Sequence, residues 1–221
     1  MAVTALDAAD SGTTSTLTYS VSAGSNRVLV VAVGQENSSG HTAPNVGYGG
    51  EAMTRVVWET SGESGYTARA DLFVLDDAGI EAASSSVITV TNIAEETVHA
   101  RSFQGVDQTV MTGSIDSGSS TTTTPNPIQV SVTCQDGSAV VGFAEVGNTS
   151  TANWTSGDTT ERTDQVAASS AGSLSDAEFS SGQTVNAYCQ WSSQNRASSV
   201  VMELVEAAEG ETFTPIVIVV Q

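Results

Sequence analysis

Along this chain, apolar residues recur in short runs that either alternate with polar ones or are β-branched throughout. Clusters of Gly, Asn, Asp and Ser bound each run. That pattern predicts strands and turns. Strands are expected at 16–22, 26–34, 52–59, 67–75, 86–91, 96–103, 127–134, 138–146, 184–191 and 197–206, with weaker ones at 159–166 and 173–179. In "IQVSVTC", Ile128, Val130, Val132 and Cys134 fall on one face, and "VNAYCQW" sets Val185, Ala187, Cys189 and Trp191 together likewise. The run "VLVVAV" is apolar on both faces, as a strand covered twice must be. Only 76–85, "DDAGIEAASS", suggests a helical turn, and it is too short and polar for a core helix.

Ten or more short strands with turn signals about every ten residues predict an all-β, jelly-roll-like antiparallel β-sandwich. Residues 16–206 are read as one domain, with 1–15 as an N-terminal arm and 207–221 as a C-terminal arm carrying a terminal strand. The low-complexity stretch 112–127 is read as a long Ser/Thr loop inside that domain, and 147–158 as a second exposed loop with Trp154 at its tip. No internal repeat at a fixed period is visible.

Charge narrows the function classes. The 221 residues include 25 acidic ones against six arginines and no lysine, a formal charge of −19. Serine and threonine supply about a quarter of the chain. Such a surface repels nucleic acid, which needs a basic stripe, and repels anionic membranes. It favours solubility at high concentration, and the sharper version is a saline or marine setting. The start, "MAVTALDAADSG", has no basic and apolar segments of a secretory signal, and no apolar stretch is long enough to span a membrane. Synthesis in a cytoplasm is therefore expected.

The candidate chemistry is sparse. Cys134 and Cys189 point to the apolar sides of strands, as buried free thiols or a cross-strand disulfide. His41 sits in a Ser/Gly-rich loop and His99 is assigned to the polar side of its strand with Arg101. Neither lies beside a nucleophile elbow. Carboxylate pairs are what 25 acids produce by chance, so no catalytic residue is assigned and the chain is read as non-enzymatic. Calcium is the best metal candidate, with Asp76, Asp77 and Asp158 as weak ligands in turns, and no cofactor is otherwise implied. Of the tryptophans, Trp191 reads as core, Trp58 as the end of a strand, and Trp154 as the one exposed enough to stack on a sugar or to anchor a neighbouring protein.

The ordered phrases "SAGSNRVLVVAVG", "NVGYGGEAMTRV", "ADLFVLDDAG", "VHARSFQGVDQT", "AVVGFAEVG" and "RASSVVMELVEA" carry a resemblance. Over roughly residues 16–206 the chain resembles a jelly-roll-like β-sandwich family found in virion proteins of tailed viruses and in bacterial surface proteins. The signature consists of core strands and glycine turns, such as Tyr48-Gly49-Gly50, and brings no catalytic residues. It implies a virion structural protein, a capsid decoration (cement) or spike protein on the virion surface. Its implied partners are the major capsid protein or other virion proteins, and copies of itself, as a homotrimer or else a dimer. The alternative is a carbohydrate-binding or adhesive module, free or on a virus tail, with a glycan site around Trp154.

The chain ends on "TFTPIVIVVQ". Phe213 and the β-branched run Ile216, Val217, Ile218, Val219 and Val220 form a sticky strand after a polar arm. It needs an edge to pair with, its own or a neighbour's.

Overall fold

The computed structural model describes residues 1–37, 42–63, 66–93, 96–121, 128–149, 152–154, 157–191 and 196–208. The first half of the chain builds β1 (Thr4–Ala5), β2 (Asp10–Gly12), β3 (Thr16–Thr18), β4 (Val28–Asn37), β5 (Asn45–Tyr48) and β6 (Glu51–Ala52). It continues with β7 (Thr54–Glu63), β8 (Tyr66–Leu75), α1 (Asp77–Ala82), β9 (Val87–Thr91) and β10 (Glu96–Gln104). The second half supplies β11 (Thr112–Ser120), β12 (Ile128–Cys134), β13 (Ala139–Val146) and β14 (Ala152–Asn153). Then come β15 (Thr160–Val166), β16 (Ala171–Glu178), β17 (Gln183–Trp191) and β18 (Ala197–Leu204).

Among the described residues all strand pairings are antiparallel and fall into four sheets. The first half makes an inner sheet, β1-β10-β4-β8-β7 with β2 also on β10, and an outer sheet, β3-β9-β5-β6. The second half makes an inner sheet, β11-β18-β13-β16-β15, and an outer sheet, β12-β17-β14. Matching β4 with β13, β8 with β16, β7 with β15 and β10 with β18 superposes one inner order on the other. The outer orders match through β3 with β12, β9 with β17 and β5 with β14. The chain therefore folds as two topologically equivalent sandwiches.

Side-chain alternation shows how they stack. Val28, Val30 and Ala32 of β4 turn toward the other inner sheet and meet Val141, Phe143, Leu174, Val200 and Met202. Leu29, Val31 and Val33 turn the opposite way, against Tyr19, Val46, Ile88 and Val90 of the outer sheet. In the second half, Val140, Ala144 and Val201 pack on Val130, Ala187, Cys189 and Trp191. Three apolar layers thus separate four sheets, and "VLVVAV" is apolar on both faces because β4 is central to two of them. Each large side chain fully buried there contributes about 1.5–3 kcal/mol.

Contact between the inner sheets is self-complementary. β4 packs on β13, β8 on β18 as β16 on β10, and β7 on β11 as β15 on β2. This is the pattern of an isologous dimer interface, realised within one chain.

Two boundaries differ from expectation. Residues 1–15 are not an arm: β1 and β2 pair with β10, Val3 is buried, and its N–H donates to Gly137 O at 2.8 Å. The stretch 112–120 is not a loop but β11, pairing with β18 through Ile115 opposite Met202. Its polar sequence hides it because β11 lies at a sheet rim and is held by backbone bonds. Residues 122–127 and the tail from 209 on, including Phe213 and Ile216 to Val220, lie outside the described residues.

The expected glycine turn is present. Gly49 and Gly50 have φ of 57° and 99°, and a Cβ on Gly49 would overlap Ser85 O. Ser84 N–H and Oγ–H both donate to Gly49 O, tying this turn to the segment after α1.

Candidate functional site

Side chains with chemical potential gather in three places. The first is sealed between the inner sheets. Thr97 Oγ1 donates to Glu145 Oε2 at 2.8 Å, and His99 Nδ1 lies 2.7 Å from Thr163 Oγ1. His99 and Glu145 are both wholly buried, and the imidazole tilts against Phe143 with ring centroids 5.2 Å apart. Burial holds His99 neutral, with its pKa down to about 3. Burial pushes the Glu145 carboxyl up to about 8, against the opposing pull of the Ser170 and Thr97 hydroxyls. The sequence reading set His99 on a polar face; that face is the one covered by the second sandwich, and no substrate reaches it. His41 lies outside the described residues.

Nearby, Arg101 Nε and Arg162 Nη2 converge on Asp176, at 2.6 and 2.7 Å. Asp176 is fully buried, and Arg101 comes from β10 of the other sandwich. This ion pair joins the halves, with Arg162 and Asp176 both coming from the second.

The second place lies inside the C-terminal sandwich and overturns the reading of Trp154. Trp154 is only 8% exposed. Its Nε1 donates to Ser173 Oγ at 3.0 Å, and its N–H to Glu161 Oε2 at 3.2 Å. The ring fills the core, so it offers no platform for a ligand. Asp164 on this side is raised to about 6, by burial first and by the Glu161 charge next. Cys134 and Cys189 are free and buried. They sit at opposite ends of the β12–β17 pair, facing Gln183 and Ile128 respectively.

The carboxylates named for calcium are engaged in holding the backbone or arginine. Asp76 caps α1 by accepting from Gly79 N–H at 2.8 Å, Asp77 pairs with Arg27 at 2.5 Å, and Asp158 accepts from Asn186 N–H at 2.9 Å. Among the described residues, no three His, Cys, Asp or Glu side chains converge.

The third place is at the surface. Opposite Asp71 of β8 stands Trp58 of β7, 48% exposed. Asp71 is fully buried and gripped by Arg69 through two bonds, Nε to Oδ2 at 2.5 Å and Nη2 to Oδ1 at 2.7 Å. The Arg69 guanidinium lies 4.8 Å from the Trp58 ring centroid and that of Arg55 lies 5.6 Å away. The Arg69 side chain is itself nearly buried, so it occupies the ring's inner side and the exposed side faces out. Arg55 stands opposite Phe73 and reaches Asp71 only at 3.5 Å. Beside it opens a cleft of about 260 Å³ lined by Pro44, Asn45, Val46, Met53, Arg55 and Phe73, among others.

Trp58 was read as the end of a strand. A bulge between Arg55 and Val57 shifts the register and turns Val57 inward and Trp58 outward. The available signal was "TARADLF", where Arg69 and Asp71 break an otherwise apolar strand.

Comparison with family models, with curated proteins and with solved structures yields no match.

Proposed function

We propose that this chain is a non-enzymatic structural protein of a virion exterior, a capsid decoration, cement or spike protein of a tailed virus. Its partners are the major capsid protein or another virion protein, and further copies of itself, with a trimer preferred. The observation that carries the reading is how the ionisable groups inside the molecule are used. His99, Glu145 and Asp176 are buried at the junction of two sandwiches, with Arg101 reaching Asp176 from one half and the partly exposed Arg162 from the other, and they serve the packing of the halves. The resemblance of the strand and turn phrases to virion sandwiches supplies the setting. An acidic exterior keeps particles apart and leaves packaged nucleic acid untouched.

The terminal run Ile216–Val220 is the proposed inter-subunit strand, following a polar segment that begins after β18. The test is attachment to bare capsids, followed by co-sedimentation. Saturable binding that is lost, together with self-association, on deletion of residues 213–221 supports the proposal. Attachment and oligomerisation that survive the deletion remove the tail from it, and failure to bind any capsid removes the function.

A further inference from the structure

We propose that the cleft beside Arg55 and the outer face of Trp58, which adjoins it across Arg55, form neighbouring subsites for a short chain of carboxylate-bearing sugar residues. This site is independent of capsid attachment.

Charge is the first argument. The chain carries only six positive side chains against 25 acids, yet two of the six meet at one exposed tryptophan. Asp71 balances one of them, and the geometry identifies which. Arg69 satisfies both Asp71 oxygens with short bonds, whereas Arg55 touches the same carboxylate only at the limit of hydrogen bonding. The Arg55 side chain is one-third exposed at the rim of the cleft. A guanidinium presents a planar fork of donors matched to a carboxylate. In a strongly negative field, a local excess of one positive charge favours a small, singly charged anion over a polyphosphate.

Shape is the second argument. The cleft, about 260 Å³, is smaller than the roughly 300–1,000 Å³ of sites for drug-sized ligands, and suits one sugar ring. Val46, Met53 and Phe73 give it an apolar floor, with Asn45 and Arg55 polar at the edge. Pyranose rings have this dual character, with C–H groups on a face and hydroxyls at the rim.

Preorganisation is the third. The Trp58 ring rests on Arg69, and Arg69 is locked by the buried Asp71. Contact with Arg69 restricts the ring before a ligand arrives, which lowers the entropic cost of stacking. The same ring cannot serve the core, because sheet β3-β9-β5-β6 does not cover it.

The test titrates the full chain with trigalacturonic acid, with maltotriose as the neutral probe and triglutamate as the acidic peptide. Binding is followed by calorimetry and by tryptophan fluorescence. Saturable binding of the uronate at least tenfold tighter than of either control is expected. Trp58→Ala and Arg55→Gln should each weaken it at least tenfold with unchanged thermal midpoints. In the unmutated chain, bound uronate should protect the exposed tryptophan from iodide quenching. Equal binding of maltotriose overturns the role of Arg55, and equal binding of triglutamate overturns the sugar class. No binding of the uronate, or binding that both variants retain, overturns the site.

Discussion

Gly34 of β4 and Glu145 of β13 oppose each other across the inner sheets, and the side chain one lacks leaves the space the other fills. A Cβ on Gly34 would overlap the Glu145 carboxyl and Thr97 Oγ1. Gly172 does the same on the next strand, its absent Cβ falling 2.7 Å from Glu145 Oε2 and 2.9 Å from His99 Nε2. A buried polar cluster thus fits into a packed interface because two glycines make room for it. Gly34→Ala is expected to destabilise the chain by about 1–3 kcal/mol through overpacking. In a Glu145→Ala background the same change should cost less, with a coupling of at least about 0.5 kcal/mol. Urea denaturation of the four proteins measures it, and strictly additive effects would mean the two residues do not share that space.

The same cluster sets a pH profile. Glu145 ionises at 4.5 when unfolded and about 8 when folded, so between these values the folded state holds the extra proton and stability falls as pH rises. His99 is the reverse: its pKa is 6.5 unfolded and about 3 folded, so in that window stability rises with pH. Asp164, raised from 3.8 to about 6, acts in the same sense as Glu145, so from 4.5 to about 6 His99 offsets only one of the two carboxyls and stability falls as pH rises. Above 6.5 only Glu145 acts, at about 1.4 kcal/mol per pH unit up to its folded pKa. Glu145→Gln should abolish that decline and leave the profile nearly level from 4.5 to about 6, where Asp164 and His99 offset each other. Urea midpoints across the range decide it; parallel profiles for the two proteins would show that Glu145 is ionised in the fold.

Trp154→Ala should act on stability. The ring is buried against Gly142, whose added Cβ would lie 3.1 Å from Trp154 Cη2, and its N–H is bonded to Ser173. Removing it leaves a cavity and takes one hydrogen bond from Ser173, at a cost of about 3–5 kcal/mol. Chemical denaturation measures the loss. A variant as stable as the parent would place the ring outside the core.

The strands legible in the sequence are those with one wet face or two apolar ones. β8, β12, β13 and β17 match their expected spans to within a few residues, because alternation reports burial directly. β11 was illegible because "TGSIDSGSS" has no apolar period, and β1 and β2 because two or three residues carry none. The duplication leaves no repeat in the sequence because equivalent strands share topology rather than residues: "VLVVAVGQEN" corresponds to "AVVGFAEV". The intervals also differ, since α1 joins β8 to β9 whereas a short turn joins β16 to β17. The two tryptophans exchanged roles for separate reasons. Trp154 has polar neighbours and points inward, whereas Trp58 follows Val56 and Val57 and a bulge turns it out.

Asp176 offers the sharpest test that the two sandwiches hold each other. It is buried on β16 of the second, and receives Arg101 from β10 of the first together with Arg162 from β15. A fully buried carboxylate held by a nearly buried Arg101 and a one-third-exposed Arg162 is costly to assemble, so its net contribution is small while it is intact. Breaking it by one side is different, because the Arg101 guanidinium then stays nearly buried without its counter-charge, while Arg162 reaches solvent. Asp176→Ala should therefore destabilise by about 3–5 kcal/mol. The triple change Asp176→Leu, Arg101→Met and Arg162→Leu removes all three charges and should recover most of that loss. Both are read from guanidinium denaturation curves, where a single transition is expected for the parent because the halves share one apolar layer. If the single variant is as stable as the parent, the cluster is solvated and does not join the halves. If the triple variant is no better than the single one, packing around these side chains matters more than their charge.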